Sequence, residues 1–155
     1  MPPAADLPIH GCTCALLRRL NRRVTAVFDR ALAPLGLRVT QYSLLSNLRR
    51  TPQATLTELA PLLDMDRTTL TRNLKPLVAA GWVRQRQDAQ DARARSVELT
   101  PAGRALLEAA RPLWRRAQDE VNTTIGRPQV AQLHALADAA LPRLRPADAG
   151  DAHEQ

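Results

Sequence analysis

Aromatic residues are nearly missing from this chain: one Phe, one Tyr and two Trp in 155 residues. Its core must therefore be mostly Leu, Val and Ala, and a chain so poor in large rings often gains buried area by oligomerising. Cysteine is scarce too. Cys12 and Cys14 are the only two, which excludes the disulfide framework of a small secreted domain. No apolar run approaches the roughly 20 residues needed to cross a bilayer. Met1-Pro-Pro-Ala-Ala-Asp6 has no basic stretch leading into an apolar one, so no secretory leader is read there. There is no glycine-rich cofactor loop and no internal repeat. The expectation is a cytoplasmic protein with no cofactor and no membrane contact.

What is present is positive charge and helical periodicity. Lys and Arg number 22 against 15 Asp and Glu, for a net charge of +7, which points to a polyanionic partner. Residues 1–11 read as an N-terminal arm. From Cys14 to Leu35 the residues Leu17, Leu20, Val24, Val27, Phe28, Ala31 and Leu35 recur at helical spacing, with Arg18, Arg19, Arg22 and Arg23 around the rest of the circle. Thr40 is expected to cap a second helix that buries Tyr42, Leu44, Leu45 and Leu48 and ends at Thr51-Pro52. Thr55-Leu-Thr-Glu58 is a capping box. The helix it opens must be short or bent, because Pro61 removes an internal hydrogen bond.

Asp66 is expected to cap the next helix, with Leu70, Leu74, Leu77 and Val78 inside and Gly81 just past its end. Trp82–Arg86 and Ser96–Leu99 read as short strands around the polar loop 87–95. Thr100-Pro101, a cap followed by Pro at the first helical position, opens a long helix. It buries Leu106, Leu107, Ala110, Leu113, Ala117 and Val121 and bends at Pro112. Gly126-Arg-Pro128 breaks the chain before a last stripe of Val130, Leu133, Leu136, Ala137, Ala140 and Leu141. The fold class is mainly α: a winged helix-turn-helix with about six helices and a two- or three-stranded β-wing. Residues 37–100 form the winged domain, 12–36 and 101–145 the dimerisation helices of a homodimer, and 146–155 a tail.

At 100° per residue, Thr68, Thr69, Arg72 and Lys75 fall opposite Leu70, Leu74 and Leu77. Short hydroxyls and long cations suit a major groove, where Arg grips guanine in bidentate fashion and Thr offers a hydroxyl or a methyl. Arg67 and Thr71 flank this face and are better placed for phosphates. Taken alone, the same residues describe an ordinary solvated helix face; the helix before and the hairpin after favour double-stranded DNA. The hairpin carries Arg86, Arg93 and Arg95 with Asp88 and Asp91 interleaved. A protruding Arg can enter a narrow A·T-rich minor groove, and an Asp two residues away can orient it.

Asp91-x-Arg93-x-Arg95 followed by Leu99-Thr-Pro-Ala-Gly103, with Leu70-Thr-Arg72, Leu77 and Gly81-Trp-Val-Arg84 before it, resembles the MarR family of bacterial regulators over roughly residues 12–143. The resemblance implies a triangular homodimer whose first, fifth and sixth helices form the dimer lobe. Asp66–Val78 would lie in the major groove, Arg93 in the minor groove with Asp91 as its positioner, and Arg95 on phosphate. Two-fold symmetry implies a palindromic operator. Most members are repressors released by small phenolic or lipophilic ligands or by cysteine oxidation. One position departs: a second Asp is common between the wing arginines, and here it is Ala94.

His10-Gly-Cys12-Thr-Cys14 is the one reactive-looking cluster. If extended, it puts His10, Cys12 and Cys14 on one side, as a soft metal or metalloid would need; if helical, it sets the two thiols about 200° apart. By resemblance, Cys14 falls where hydroperoxide-sensing relatives have their reactive cysteine, but Phe28 and Val39 stand where those relatives have tyrosines. Cys12 could resolve a sulfenic acid formed on Cys14, or both thiols could simply pack. Two other functions compete with a regulator: a small thiol enzyme using Cys12 and Cys14, for which no general base is placed, and a winged-helix interaction module that never touches DNA.

Overall fold

The computed structural model describes residues 11–87 and 95–144. The chain divides into two compact units, Met1–Ala117 and Gln118–Gln155. The elements run α1 (Thr13–Leu32), α2 (Val39–Arg50), β1 (Ala54–Thr55), α3 (Leu56–Leu62), α4 (Arg67–Ala79), β2 (Val83–Gln87), β3 (Arg95–Leu99), α5 (Pro101–Ile125) and α6 (Arg127–Ala140), with single 3₁₀ turns at Ala33–Leu35 and Leu141–Leu144. The first helix is thus shorter than its apolar stripe. Pro34 cannot continue the hydrogen-bond ladder, and Gly36, at φ 66°, turns the chain out.

The caps show how local chemistry sets the boundaries. Thr55 N–H donates to Glu58 Oε2 at 2.8 Å and Glu58 N–H to Thr55 Oγ1 at 3.3 Å, a reciprocal box. Pro61 does limit α3 to 7 residues. Gly81 (φ 74°) closes α4: its N–H reaches Val78 O and the Trp82 N–H reaches Leu77 O, a Schellman end. The cap expected of Thr40 is not there. Arg38 is the N-cap of α2, its N–H is taken by Gln41 Oε1 at 3.0 Å, and Val39 N–H donates to Asp29 Oδ1 at 2.7 Å. A carboxylate supplied by α1 is a stronger acceptor than a threonine hydroxyl, so the helix starts earlier and Thr40 sits inside it.

The sheet has the order β1-β3-β2 and is antiparallel throughout. Val83 faces Leu99 at one end of the hairpin and Gln87 faces Arg95 at the other. Trp82, expected in the first strand, lies outside the ladder because its N–H serves the end of α4 and its carbonyl accepts from Thr100 N–H. The third strand is only Ala54 and Thr55, paired with Val97 and Ser96.

The core of the first unit is leucine-rich. Leu32, Leu45, Leu59, Leu70, Leu74 and Leu77 are fully buried, in one cluster with Val97 of β3 and Leu107 and Ala110 of α5. Each such side chain contributes about 1.5–3 kcal/mol of transfer free energy. Val78 does not join them; it is 38% exposed, because one residue after Leu77 the helix has turned by 100°. Three of the chain's four aromatic rings meet here. Trp114 stacks on Tyr42 at 5.8 Å and tilts against Phe28 at 5.9 Å.

Burial raises the Tyr42 hydroxyl above its usual pKa, partly offset by Arg49, Arg111 and Arg115. An acid whose folded pKa is raised adds stability below about pH 10 that is lost as pH climbs through the folded value. Because Tyr42 is the only tyrosine, absorbance at 295 nm should titrate higher in native than in denatured protein. Coincident curves would contradict its burial.

α5 runs unbroken through Pro112 to Ile125. In the second unit Gly126, at φ 99°, makes the turn into α6. Val121 and Val130 are buried, whereas Leu136, Leu141 and Leu144 are 70%, 60% and 76% exposed. The last apolar stripe is therefore mostly uncovered within a single chain. Among the described residues, no helix is long and apolar enough to cross a membrane.

Candidate nucleic-acid interface

α4 begins with a carboxylate cap. Asp66 Oδ1 accepts from Thr69 N–H at 2.8 Å and Oδ2 from Thr69 Oγ1 at 2.6 Å. The Thr69 hydroxyl and amide hold the Asp66 carboxyl below the ordinary aspartate range. A depressed carboxyl adds stability above its unfolded pKa of about 3.9, and this is lost as pH falls through the folded value. The melting difference between wild type and Asp66→Ala should therefore be widest near neutrality and narrow in acid. A difference independent of pH would show that the cap is not ionic.

Leu70, Leu74 and Leu77 anchor α4 to the core and turn its other side outward. There, Arg67, Thr68, Thr71, Arg72, Lys75 and Val78 line a groove of about 710 Å³ that Gln85 of β2 completes. Five of the six residues singled out on this helix thus share one concavity. Thr69 is the exception. It is half-buried and its hydroxyl proton is committed to Asp66. Thr71 likewise donates to Arg67 O at 2.8 Å, leaving Thr68 as the threonine here whose hydroxyl is uncommitted among the described residues. Arg67, Arg72 and Lys75 are exposed. The groove can hold an anion with three exposed cations and offer one hydroxyl and several methyls to what lies deeper.

In the wing, Glu98 of β3 gathers two arginines from β2. Arg84 Nε donates to Glu98 Oε1, and Arg86 Nε lies 3.1 Å from the same oxygen. This pairing, led by the Arg84 hydrogen bond, holds the Glu98 carboxyl below its usual range. Arg86 remains exposed, as does Arg95. Asp88, Asp91, Arg93 and Ala94 lie outside the described residues.

The wing's root is tied to the end of α4. Thr100 donates its N–H to Trp82 O at 3.0 Å and its hydroxyl to Gly81 O at 2.7 Å, and it accepts Gly103 N–H at 3.0 Å as the cap of α5. A cationic helix and a charged hairpin are thereby fixed in one frame.

The sequence profile of the MarR family matches residues 37–94. The multiple antibiotic resistance protein MarR of Salmonella typhimurium is 31% identical over 130 residues, 82% of this chain and 89% of its own length. The chain belongs to the MarR family of winged-helix transcriptional regulators. Among solved structures, the M. tuberculosis transcriptional regulator MosR in complex with DNA superposes with a TM-score of 0.69 at 41% identity, covering 84% of this chain and 98% of that one. A cysteine-to-serine mutant of MarR from E. coli, complexed with operator DNA, gives a TM-score of 0.77 at 29% identity over 83% and 93% of the two chains.

Within this MarR-family frame, sequence reasoning missed Gln85 and Val78 as groove residues. Gln85 alternates with exposed neighbours along β2, and nothing in its surroundings marks it as facing α4. Cys12 and Cys14 are both exposed. Cys12 is the extended N-cap of α1 and Cys14 lies in its first turn, so residues 12–14 are neither fully extended nor fully helical. His10 lies outside the described residues. Among the described residues, no three His, Cys, Asp or Glu side chains are grouped to hold a metal ion.

Proposed function

We propose that this protein binds double-stranded DNA as a cytoplasmic homodimer and represses transcription from a palindromic operator. The observation that carries this reading is the groove of Arg67, Thr68, Thr71, Arg72, Lys75 and Gln85 on a winged helix. Arg72 is assigned to base edges, with Thr68 beside it, and Arg67 and Lys75 to phosphates, following the chemistry of groove recognition. Thr69 acts through the cap, holding the start of α4. Arg93 is assigned to the minor groove, Asp91 to its orientation, and Arg86 and Arg95 to the flanking backbone. The exposed leucines of α6 and its following turn support a dimer lobe, since a second copy would remove them from water.

Release is assigned to an effector, either a small lipophilic or phenolic molecule or oxidation of Cys12 and Cys14. The exposure of both thiols favours the second route, because oxidant must reach the sulfur. The same pair could take up a thiophilic metal or metalloid.

The test is a gel shift on the DNA upstream of the protein's own gene, against random DNA. Expected is salt-sensitive binding to a palindrome of roughly 16–20 base pairs, with affinity falling steeply as salt rises. Equal affinity for both DNAs would sink specific regulation. Repeating the shift reduced, with organic hydroperoxide, and with arsenite or zinc, in wild type and Cys12→Ser/Cys14→Ser, separates the release routes. Identical behaviour throughout would remove the thiols.

A further inference from the structure

Of the chain's 22 cationic side chains only one, Lys75, is a lysine; the rest are arginines. The distinction is chemical. A guanidinium stays protonated, whereas a primary amine can lose its proton and attack an acyl carbon. Acylation then removes its charge. The single cationic side chain that can be neutralised in this way lines the groove on α4.

The surroundings of Lys75 suit that chemistry. It is exposed. Like Arg67 and Arg72, it makes no hydrogen bond or ion pair through its side chain among the described residues. Arg72 stands three residues before it and Val78 three after, a spacing that makes them neighbours on one helix face. Arg67 and Thr68 enter the same groove two turns nearer the helix start. The groove therefore offers uncompensated guanidiniums for a dianion, an amine beside them, and beyond it an apolar side chain that is 38% exposed. A phosphate-activated acyl group presents the matching order: phosphate, carbonyl, apolar tail.

We propose that Lys75 is a regulatory acylation site and that the groove draws its donor, an acyl phosphate, onto the amine. Arg67 and Arg72 hold the phosphate, and the acyl tail lies toward Val78. Lys75 Nζ, after losing a proton to solvent, attacks the carbonyl carbon. The C–N bond forms as the bond from that carbon to the bridging phosphate oxygen breaks. The electron pair of the broken bond stays on the phosphate, which takes up the second proton from nitrogen. The products are a neutral amide and inorganic phosphate, and nothing is oxidised or reduced. Holding donor and amine in one groove replaces a chance encounter by an effectively unimolecular step.

Resting on the regulator reading, acylation removes one phosphate contact per protomer, so operator affinity falls. Donor and DNA compete for Arg67 and Arg72. Bound operator therefore protects Lys75, and by linkage the donor weakens operator binding by the same factor.

The experiment uses the full chain and acetyl phosphate. Lys75 precedes Pro76, so trypsin releases the segment 73–84 whether or not it is acylated, and the two forms are compared directly by mass. A synthetic 73–84 peptide is the reference, with the same amine and no groove. Expected is one acetyl group on that segment, added at a rate that saturates with donor. At low donor the rate should exceed the peptide's by about ten-fold or more. Inorganic phosphate and operator DNA should each slow it. Arg67→Ala and Arg72→Ala should raise the donor concentration for half-maximal rate and leave the maximal rate near the parent's. At about 0.1 M salt, a dimer acetylated on both copies should bind operator roughly 50-fold more weakly, with a salt slope lower by about two. Lys75→Gln should reproduce that loss. In Lys75→Arg, operator affinity should be the same before and after donor treatment. A rate that is linear in donor and equal to the peptide's, or one that both arginine variants leave unaltered, overturns the site. Acetylation with unchanged operator affinity overturns the regulation. Failure of the unmodified chain to bind any operator sinks the regulator reading instead, and the mass measurement, made without DNA, still decides the site.

Discussion

Gly103→Ala is expected to lower stability by about 3 kcal/mol, the upper part of the range for overpacking, and the melting temperature by about 10 °C for a chain of this length. A Cβ at this position would stand 2.0 Å from Trp82 O and 2.9 Å from its carbonyl carbon. The obstacle is backbone, so no rotamer change relieves it. Nor can that carbonyl swing aside freely, because it accepts Thr100 N–H, while Thr100 in turn holds Gly81 and caps α5. The damage should therefore concentrate at the joint between wing and α5, visible as faster hydrogen exchange at the Thr100 and Gly103 amides. Ala102→Ser, one exposed residue away, should stay within about 0.5 kcal/mol. A Gly103→Ala protein that melts with the parent would mean the close approach is not obligatory.

Arg72→Ala has the largest expected effect on the proposed DNA complex. A bidentate arginine–guanine pair discriminates by about 1–3 kcal/mol. A two-fold complex uses it twice, so specific affinity should fall by roughly 30-fold to 10⁴-fold. Binding to random DNA should fall much less, because non-specific affinity is carried by phosphate contacts. Lys75→Ala should show the converse: similar losses on both DNAs and a salt slope reduced by about one per copy. Loss of the same size on operator and random DNA for Arg72→Ala would move Arg72 from base reading to phosphate neutralisation. Melting curves of both variants guard against a trivial cause, since both side chains are exposed.

Much of this was legible in the chain because the signals are short-range. The Thr55–Glu58 box, the Asp66 cap and the Thr100-Pro101 start each satisfy amides within one helical turn of the residue that signals them. The Leu70–Leu74–Leu77 stripe places the cationic face of α4 opposite the core by rotation alone. The candidate groove was legible to the same extent: six of its residues lie on one helix, and five of those six are marked by the sequence. Legibility ended where the partner comes from elsewhere. Asp29, ten residues from Val39, displaced Thr40 as the start of α2. A two-residue strand has no periodicity to detect, so Ala54 and Thr55 became a strand only through Val97 and Ser96.

The division follows from the range of the forces. Sequence by itself determined the helix-turn-helix order, the caps of α3, α4 and α5, the charged hairpin and the side of α4 that faces outward, because neighbours along the chain are neighbours in space within a turn. Tertiary structure alone decided that Gln85 closes the groove, that three aromatic rings from α1, α2 and α5 converge, and that Gly103 admits no side chain. Each of those depends on two segments meeting at a distance and angle set by packing of the whole leucine core, which no single stretch of residues specifies.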